Sequence, residues 1–213
     1  MTSDPDSAQK EWLAGVFDRA APSYDRIGDA YHDHFGARLA ETAGIHPGAR
    51  VLDVACGRGA VLLPAAAGAG ANGRVVGVDL SPEMIRTAGE ALARADLAAT
   101  TELRVMDAEH LQFDEDSFDF VLCSFGLFFF PRPTRATAEF LRVLVPGGVV
   151  AVSSWTGGDD RWAWEDDLLA DLNVSRRAVT RPFDRLEDLD EAGIDEQLFE
   201  VLETVEGTRD GTT

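Results

Sequence analysis

Short apolar runs alternate with helical periods of apolar residues through the middle of the chain. The short runs are rich in Val, Leu and Phe and are bounded by charged or glycine-rich segments, a pattern typical of buried β-strands. We therefore predict strands at Arg50–Val54, Arg74–Asp79, Glu102–Met106, Phe118–Ser124 and Val149–Trp155.

The segments between these runs have the spacing of helices. We predict helices over Gly59–Ala69, from the N-cap Ser81 through Pro82 to about Ala95, and over Thr134–Leu144. Ser is a favourable N-cap, and Pro is favoured at the first helical position. Alternating strands and helices predict an α/β fold, a doubly wound Rossmann-like and mostly parallel sheet with flanking helices. Ligands of such sheets bind at the carboxyl ends of the strands.

Two further regions flank this core. Residues 9–43 are predicted to be helical with a break at Ala21-Pro22-Ser23, and we expect a mobile lid there because Pro22 and Gly28 are plausible hinges. An amphipathic helix over 160–175 and a strand over Leu198–Val205 are predicted near the C-terminus. We expect one domain with a lid (about 9–43), a core (about 44–155) and a short acidic C-terminal part (156–213).

Charge and composition narrow the choice of partners. The 213 residues carry a formal net charge of −19, whereas nucleic-acid affinity needs Lys and Arg to neutralise phosphates, so we expect no nucleic-acid partner. No apolar run reaches the roughly 20 residues that span a bilayer, and no signal peptide is visible, which predicts a cytoplasmic protein without membrane insertion. Two distant cysteines predict neither a disulfide framework nor a metal site.

Polar residues end four successive predicted strands. Asp53 starts the glycine-rich turn DVACGRG, Asp79 ends the second strand, Asp107 follows the third, and Cys123 and Ser124 end the fourth. A glycine-rich turn before a helix lets a ligand approach the backbone closely. Asp79 is either an acceptor for ribose hydroxyls or an exposed turn residue. Asp107 would accept a hydrogen bond from an adenine amine.

The glycine-rich turn alone is a weak signal, because several nucleotide-binding families have one. A dinucleotide site needs a third glycine where Leu62 stands, and the carboxylate of Asp53 would repel a pyrophosphate. These two positions disfavour an NAD-dependent reductase and favour a ligand that carries positive charge.

The chain resembles the class I S-adenosylmethionine-dependent methyltransferases in five successive motifs: VLDVACGRGAVLLPAA, VVGVDLSPEMI, VMDAEHLQF, FDFVLCSFGLFFFP and RVLVPGGVVAVSSW. It is most similar to the ubiquinone/menaquinone-biosynthesis-like branch and its actinobacterial small-molecule relatives, whose N-terminal motif resembles FDRAAPSYDRI at 17–27. The resemblance covers about Phe17 to Trp155. It implies that S-adenosylmethionine is the cofactor and that a methyl group passes, by in-line displacement, to O, N or C of an apolar or aromatic metabolite.

The resemblance also implies site residues. Asp53, Ala55 and Gly57 would cradle the methionine part of the cofactor, Asp79 would hold the ribose, and Tyr24 would close over the cofactor. The whole set of implied cofactor-binding residues is Tyr24, Asp53, Ala55, Cys56, Gly57, Asp79, Leu80, Met84, Asp107, Ala108, Cys123 and Ser124.

Three positions depart from the family pattern. Ala55 replaces the usual first glycine, which is tolerable if its φ angle stays below zero. Arg58 stands in place of a small hydroxyl residue and would either pair with the cofactor carboxylate or point to solvent. After Leu198–Val205 only GTRDGTT remains, so we expect the last antiparallel strand pair to be missing or rearranged.

Catalytic and substrate residues are less defined. His32 and His34 are the candidate bases, because histidine is the commonest proton acceptor and their segment borders the substrate in this branch. Phe125, Phe128 and Trp155 are candidate substrate contacts, although large aromatics are usually core residues. Trp162 and Trp164 would cap a substrate or the partner in a homodimer. The alternative function is a cofactor-binding protein with impaired catalysis and a partner-binding role.

Overall fold

A computed structural model of the chain describes residues 5–26, 31–154, 175–176 and 204–206. The described residues form a seven-stranded sheet in the order β3-β2-β1-β4-β5-β7-β6. The first five strands pair in parallel, and β7 pairs antiparallel with β5 and β6. The strands are β1 (Arg50–Val54), β2 (Arg74–Asp79), β3 (Thr101–Val105), β4 (Phe118–Ser124), β5 (Leu144–Ser153), β6 (Ser175–Arg176) and β7 (Thr204–Glu206).

The central strands are buried on both faces because helices cover the sheet from both sides. Residues 51–54 of β1, 75–78 of β2 and 120–123 of β4 are all buried, as expected for parallel strands with apolar residues on both faces. One face packs on Leu39, Leu62 and Leu92, and the other packs on Phe140. Burying a side chain of this size contributes about 1.5–3 kcal/mol.

The helices that carry these contacts begin and end at recognisable signals. They are α1 (Pro5–Ala20), a 3₁₀ helix (Ala21–Arg26), α2 (Tyr31–Ala43), α3 (Leu62–Ala69), α4 (Pro82–Arg94), a 3₁₀ helix (Leu127–Phe129) and α5 (Pro133–Val143). At the start of α4, the Ser81 hydroxyl accepts a hydrogen bond from the Met84 amide at 3.1 Å, as predicted for an N-cap. No helix among the described residues has the length and apolar character needed to cross a membrane.

The predicted α/β fold is confirmed, with β1, β2 and β4 at the predicted bounds. The helix predicted from Gly59 begins instead at Leu62, because Gly59 has a φ of 102°, which a right-handed helix does not admit. The strand predicted from Val149 begins at Leu144, because the Pro-Gly-Gly segment forms an irregularity within β5 rather than a turn before it.

The expectation that the last strand pair is missing is wrong. Two short strands, β6 and β7, pair antiparallel with each other, and β7 pairs antiparallel with β5. Of the predicted strand Leu198–Val205, only the end coincides with β7 (Thr204–Glu206). Most of the predicted helix over 160–175, with Trp162 and Trp164, lies outside the described residues.

Candidate active site

The carboxyl ends of β1 to β4 open into a cavity of about 440 Å³. Its walls are the turns that follow these strands, together with α1, the first 3₁₀ helix and the start of α2. This volume lies within the range of about 300–1,000 Å³ that small-molecule and cofactor sites occupy. The cavity therefore lies at the edge of the sheet where the sequence predicts a ligand site.

The turn after β1 has a left-handed backbone at three positions. Gly57 and Gly59 have φ angles of 51° and 102°, and Ala55 has a φ of 56°. The condition for tolerating an alanine at this position, a φ angle below zero, is therefore not met. A left-handed conformation disfavours an L-residue by about 1–2 kcal/mol, so Ala55 is strained. Such strain is typical of functional turns.

The turn after β4 packs directly on this strained alanine. A Cβ atom on Gly126 would lie 2.7 Å from the Cβ of Ala55 and 2.9 Å from the sulfur of Cys123, closer than real Cβ atoms approach their neighbours. Phe125, the residue before it, is also left-handed with a φ of 52°. Position 126 therefore requires glycine, and the two turns hold each other in place.

Asp53 is a buried carboxylate on the cavity wall. Its side chain is buried, and neither carboxylate oxygen has a hydrogen-bond partner among the described residues. Burial, and then repulsion by Asp79, raises the pKa of Asp53 well above its usual value. An ionised carboxylate in this position would be stabilised by a cationic ligand group in the cavity.

Asp79 connects the turns that follow β1 and β2. One carboxylate oxygen accepts a hydrogen bond from the Gly57 amide at 2.9 Å, and the other accepts from the Ser81 amide at 2.9 Å. Burial raises the pKa of Asp79 despite these backbone hydrogen bonds, and the negative charge of Asp18 adds to the shift. Asp79 is half-buried on the cavity wall, so the reading as an exposed turn residue is wrong.

Asp107, after β3, contacts a residue that sequence reasoning missed. One of its oxygens accepts from the Glu109 amide at 2.9 Å, and the other accepts from the ammonium of Lys10 at 2.8 Å. Lys10 also donates to Glu109 at 2.6 Å. Lys10 is the only lysine in the chain and lies in a predicted helix, a signal that could have marked it for attention.

Aromatic side chains form an arc on the side of the cavity made by the N-terminal segment and the turn after β4. Tyr24 stacks on His32 with ring centroids 4.8 Å apart, and His32 meets the edge of Phe125 at 6.3 Å. Phe17 contacts Tyr24 at 6.1 Å and Phe129 at 5.1 Å. All five residues line the cavity. This aromatic arc (Phe17, Tyr24, His32, Phe125 and Phe129) suits a flat apolar ligand.

The structure places most of the predicted site residues on the cavity wall. From the predicted cofactor set, the wall contains Tyr24, Asp53, Ala55, Cys56, Gly57, Asp79, Leu80, Met84, Asp107, Ala108 and Ser124. Phe129 also lines the cavity, as do Phe17 and Glu109, which were missed. Burial, and then repulsion by Asp53 and Asp79, raises the pKa of the Cys56 thiol, which favours its protonated form.

Four predicted residues do not lie on the cavity wall or cannot be placed. Cys123 is fully buried beneath Gly126, because alternate residues of a strand face opposite sides and Ser124 takes the cavity side. His34 is exposed two residues after His32, a spacing that turns side chains away from each other on a helix. Phe128 packs on Phe129 with ring centroids 4.5 Å apart, outside the wall. Trp155 lies outside the described residues.

Two other expectations concern charge and metals. Arg58 is half-buried and lines the cavity, with its Nε atom buried. The part of the chain that the structure describes contains no group of three or more His, Cys, Asp or Glu residues that could hold a metal ion.

Comparison with known proteins shows the family to which this chain belongs. The sequence model of a family described as "Methyltransferase domain" matches residues 52–152. The chain is 38% identical over 149 residues to the aklanonic acid methyltransferase DauC of Streptomyces sp. strain C5, a match that covers 70% of this chain and 67% of that protein. It is 39% identical over 139 residues to the nocamycin O-methyltransferase of Saccharothrix syringae, covering 65% of this chain and 49% of that protein.

A solved structure has the same fold. The crystal structure of a SAM dependent methyltransferase from Aquifex aeolicus matches with a TM-score of 0.61 and 21% sequence identity, over 78% of this chain and 90% of that chain. The sheet order, the cavity at the strand ends and these similarities together define the class I methyltransferase fold. The chain belongs to the methyltransferase family, as its motifs predicted. It spans between about half and two-thirds of the length of these two curated relatives.

Proposed function

We propose that this protein binds S-adenosylmethionine in the cavity and transfers its methyl group to an apolar or aromatic small molecule. The observation that supports this most strongly is Asp53, a buried carboxylate without a hydrogen-bond partner among the described residues, on the wall of the cavity. The cofactor carries both an ammonium and a sulfonium group, so it would place a positive charge beside the carboxylate of Asp53.

The other residues of the wall fit the remaining parts of the cofactor. Asp79 retains acceptor capacity for ribose hydroxyls beyond its two backbone hydrogen bonds, since each carboxylate oxygen has two lone pairs. Asp107 would accept from the adenine amine, with Leu80 and Met84 beside the ring. Above Gly57, a Cβ position would meet no atom within 4 Å, which leaves room for a ligand beside the backbone.

The bound cofactor supplies an electrophilic methyl group, and the protein supplies alignment and a site from which water is excluded. Holding two reactants in line contributes about 7–11 kcal/mol to lowering a barrier in well-oriented systems. In this chain, the turns after β1 and β4 pack on each other through Ala55 and Gly126. Residues Lys10, Leu13 and Phe17 of α1 line the cavity.

The aromatic arc supports the substrate class. Five aromatic side chains line the cavity, and together they would bind a planar or apolar acceptor. The relatives act on small molecules, as the names aklanonic acid methyltransferase and nocamycin O-methyltransferase state. His32 is the imidazole of the arc and is our proposed proton acceptor when the nucleophile must lose a proton.

Calorimetric titration tests the cofactor part of this proposal. We expect S-adenosylmethionine and S-adenosylhomocysteine to bind once per chain, and NADH not to bind. Asp79→Ala should weaken cofactor binding about 10- to 100-fold, the effect of losing hydrogen bonds to a charged group. Asp114→Asn, at an exposed loop position, is the matched control and should bind as the wild type does.

Turnover of a panel of phenolic and enolic metabolites with radiolabelled cofactor tests the transfer step. Methylation of at least one panel member supports the enzyme. Cofactor binding without methylation of any member would instead favour a cofactor-binding protein with a partner-binding role.

A further inference from the structure

Three polar side chains of α1 fasten this helix across the cavity. Arg132, after β4, forms an ion pair with Asp6 at the start of α1. Near the end of α1, Asp18 accepts hydrogen bonds from the Ser81 hydroxyl at 2.5 Å and from the Glu83 amide at 3.2 Å. Between these two contacts, Lys10 binds the acidic residues that follow β3.

The contact of Lys10 is more buried than the ion pair of Asp6 with Arg132. The side chain of Lys10 is 15% exposed, that of Asp107 is 28% exposed and that of Glu109 is 2% exposed. The second oxygen of Glu109 accepts from the Arg132 amide at 2.8 Å, so the Lys10 contact joins the network that holds the other end of the helix. Burial lowers the pKa of Lys10, but hydrogen bonds and charge attraction from both carboxylates outweigh it and raise the pKa.

We propose that Lys10 is a positioning residue of the cofactor site: it holds the Asp107 carboxylate for the adenine amine and thereby couples the docking of α1 to occupancy of the adenosine end of the cavity. This inference rests on the proposed cofactor and assigns the residue that orders its adenine contact.

Geometry and charge explain why Lys10 would both hold the Asp107 carboxylate and couple the docking of α1 to the ligand. Asp107 and Glu109 are two carboxylates within reach of one ammonium, and without Lys10 their repulsion would favour rotation of the more exposed Asp107 away from the pair. The contacts of Asp107 with Lys10 and with the Glu109 amide use one lone pair of each oxygen, so capacity for the adenine amine remains. A ligand that binds the Asp107 carboxylate as Lys10 holds it also favours the docked position of α1, because the coupling between ligand binding and helix docking is reciprocal.

Chemical labelling of the only lysine tests the coupling in the wild-type protein. Amines are reductively methylated with formaldehyde and a borohydride reagent, and the rate at Lys10 is followed by mass spectrometry of its peptide. We expect saturating S-adenosylhomocysteine to slow labelling of Lys10 several-fold, while the N-terminal amine of the same chain reacts at an unchanged rate. An unchanged Lys10 rate with bound ligand would overturn the coupling.

Binding of two ligands to two variants tests the positioning role. Lys10→Met removes the ammonium, and Lys10→Arg retains a cation that can contact both carboxylates. The ligands are S-adenosylhomocysteine and its analogue with hydrogen in place of the adenine amine. We expect Lys10→Met to weaken binding of S-adenosylhomocysteine about 10-fold or more, the effect of disturbing a hydrogen bond to a charged group. The analogue should be weakened much less, and Lys10→Arg should restore the preference for the amine.

The two ligands separate positioning from a general loss of structure. Equal weakening of both ligands in Lys10→Met, or no weakening of either, contradicts the positioning role. Failure of the wild-type protein to bind S-adenosylhomocysteine would instead contradict the proposed cofactor. If Lys10→Met does not fold, the labelling of the wild-type protein still decides the coupling.

Discussion

The Cβ of Ala55 occupies the space that a side chain at Gly126 would need, since a Cβ added at Gly126 would lie 2.7 Å from it. The turn after β1 thus has an alanine with a strained left-handed backbone, and the turn after β4 has a glycine, with no Cβ, beside it. The two positions complement each other across the mouth of the cavity.

A double-mutant cycle measures this relationship. Ala55→Gly should stabilise the protein by about 0.5–1 kcal/mol, because relief of the left-handed strain exceeds the added backbone entropy of glycine. Gly126→Ala should destabilise it by about 1–3 kcal/mol through overpacking.

In the double variant, part of the loss at position 126 should be recovered, because the clash with Ala55 is removed while the one with Cys123 at 2.9 Å remains. Urea unfolding of the four proteins gives the coupling energy. Strict additivity of the two single changes would show that the turns are not in contact.

Asp53→Asn should make the ligand-free protein more stable and the cofactor complex weaker. The substitution removes a buried charge without a hydrogen-bond partner among the described residues, and we expect a gain of about 1–3 kcal/mol at neutral pH. Chemical unfolding with and without S-adenosylhomocysteine measures both effects. A ligand-free variant less stable than the wild type would mean that the Asp53 charge is compensated within the protein.

The pH dependence of this difference follows from the raised pKa of Asp53. A folded-state pKa above the unfolded value of about 3.9 gives a stability contribution that is complete below that pH and is lost as pH rises through the folded-state pKa. The stability advantage of Asp53→Asn should therefore grow as pH rises above about 4. The pKa of Asp79 is also raised, so the free energy of unfolding of Asp53→Asn should still fall with rising pH, but with a smaller slope than in the wild type. Unfolding curves across this pH range measure the two slopes, and parallel slopes would contradict the account.

His32 and His34 provide a matched pair for the transfer step. His32→Phe keeps a ring in the aromatic arc but removes the proton acceptor, so kcat should fall about 100-fold or more for an acceptor that must lose a proton. His34→Phe, at an exposed position on the same helix, should retain kcat. Steady-state rates with one identified acceptor provide the measurement. Equal kcat values for the two variants would remove His32 from this role.

The segment that contains α1 should respond to the cofactor as a lid. Its polar contacts reach the turns after β2, β3 and β4, which surround the cavity, so closure of the helix and ligand binding should favour each other. Hydrogen exchange of residues 5–20 should slow when S-adenosylhomocysteine binds, while α5, on the far face of the sheet, should not change. Strong and equal protection of residues 5–20 in both states would identify a permanently docked helix. Of the two hinges predicted from sequence, Gly28 lies outside the described residues.

The sequence predicted the sheet and its ligand edge because both depend on local patterns. Strand periodicity and the acids at strand ends are properties of short segments, which is why Asp53, Asp79 and Asp107 meet at one cavity as expected. Consecutive residues of a strand face opposite sides of the sheet, so Cys123 and Ser124 of β4 cannot both face the cavity. This alternation could have excluded Cys123 from the predicted cofactor-binding residues.

Other parts of the site depend on long-range packing and could not be predicted from local patterns. Lys10 reaches Asp107 across 97 positions of the chain, a contact that is set by how α1 lies on the sheet edge. The positive φ angle of Ala55 is also set by the geometry of the whole turn, which overrides the preference of the residue for a negative φ.

The central claim is that Asp53 binds the ammonium group of the cofactor. The most direct test is calorimetric titration of the wild type and Asp53→Asn with S-adenosylhomocysteine and with its analogue that lacks only the amino group. We predict that the wild type prefers S-adenosylhomocysteine by about 10- to 100-fold, as for hydrogen bonds to a charged group, and that Asp53→Asn loses most of this preference. Equal affinity of the wild type for the two ligands, or an undiminished preference in Asp53→Asn, would contradict the account.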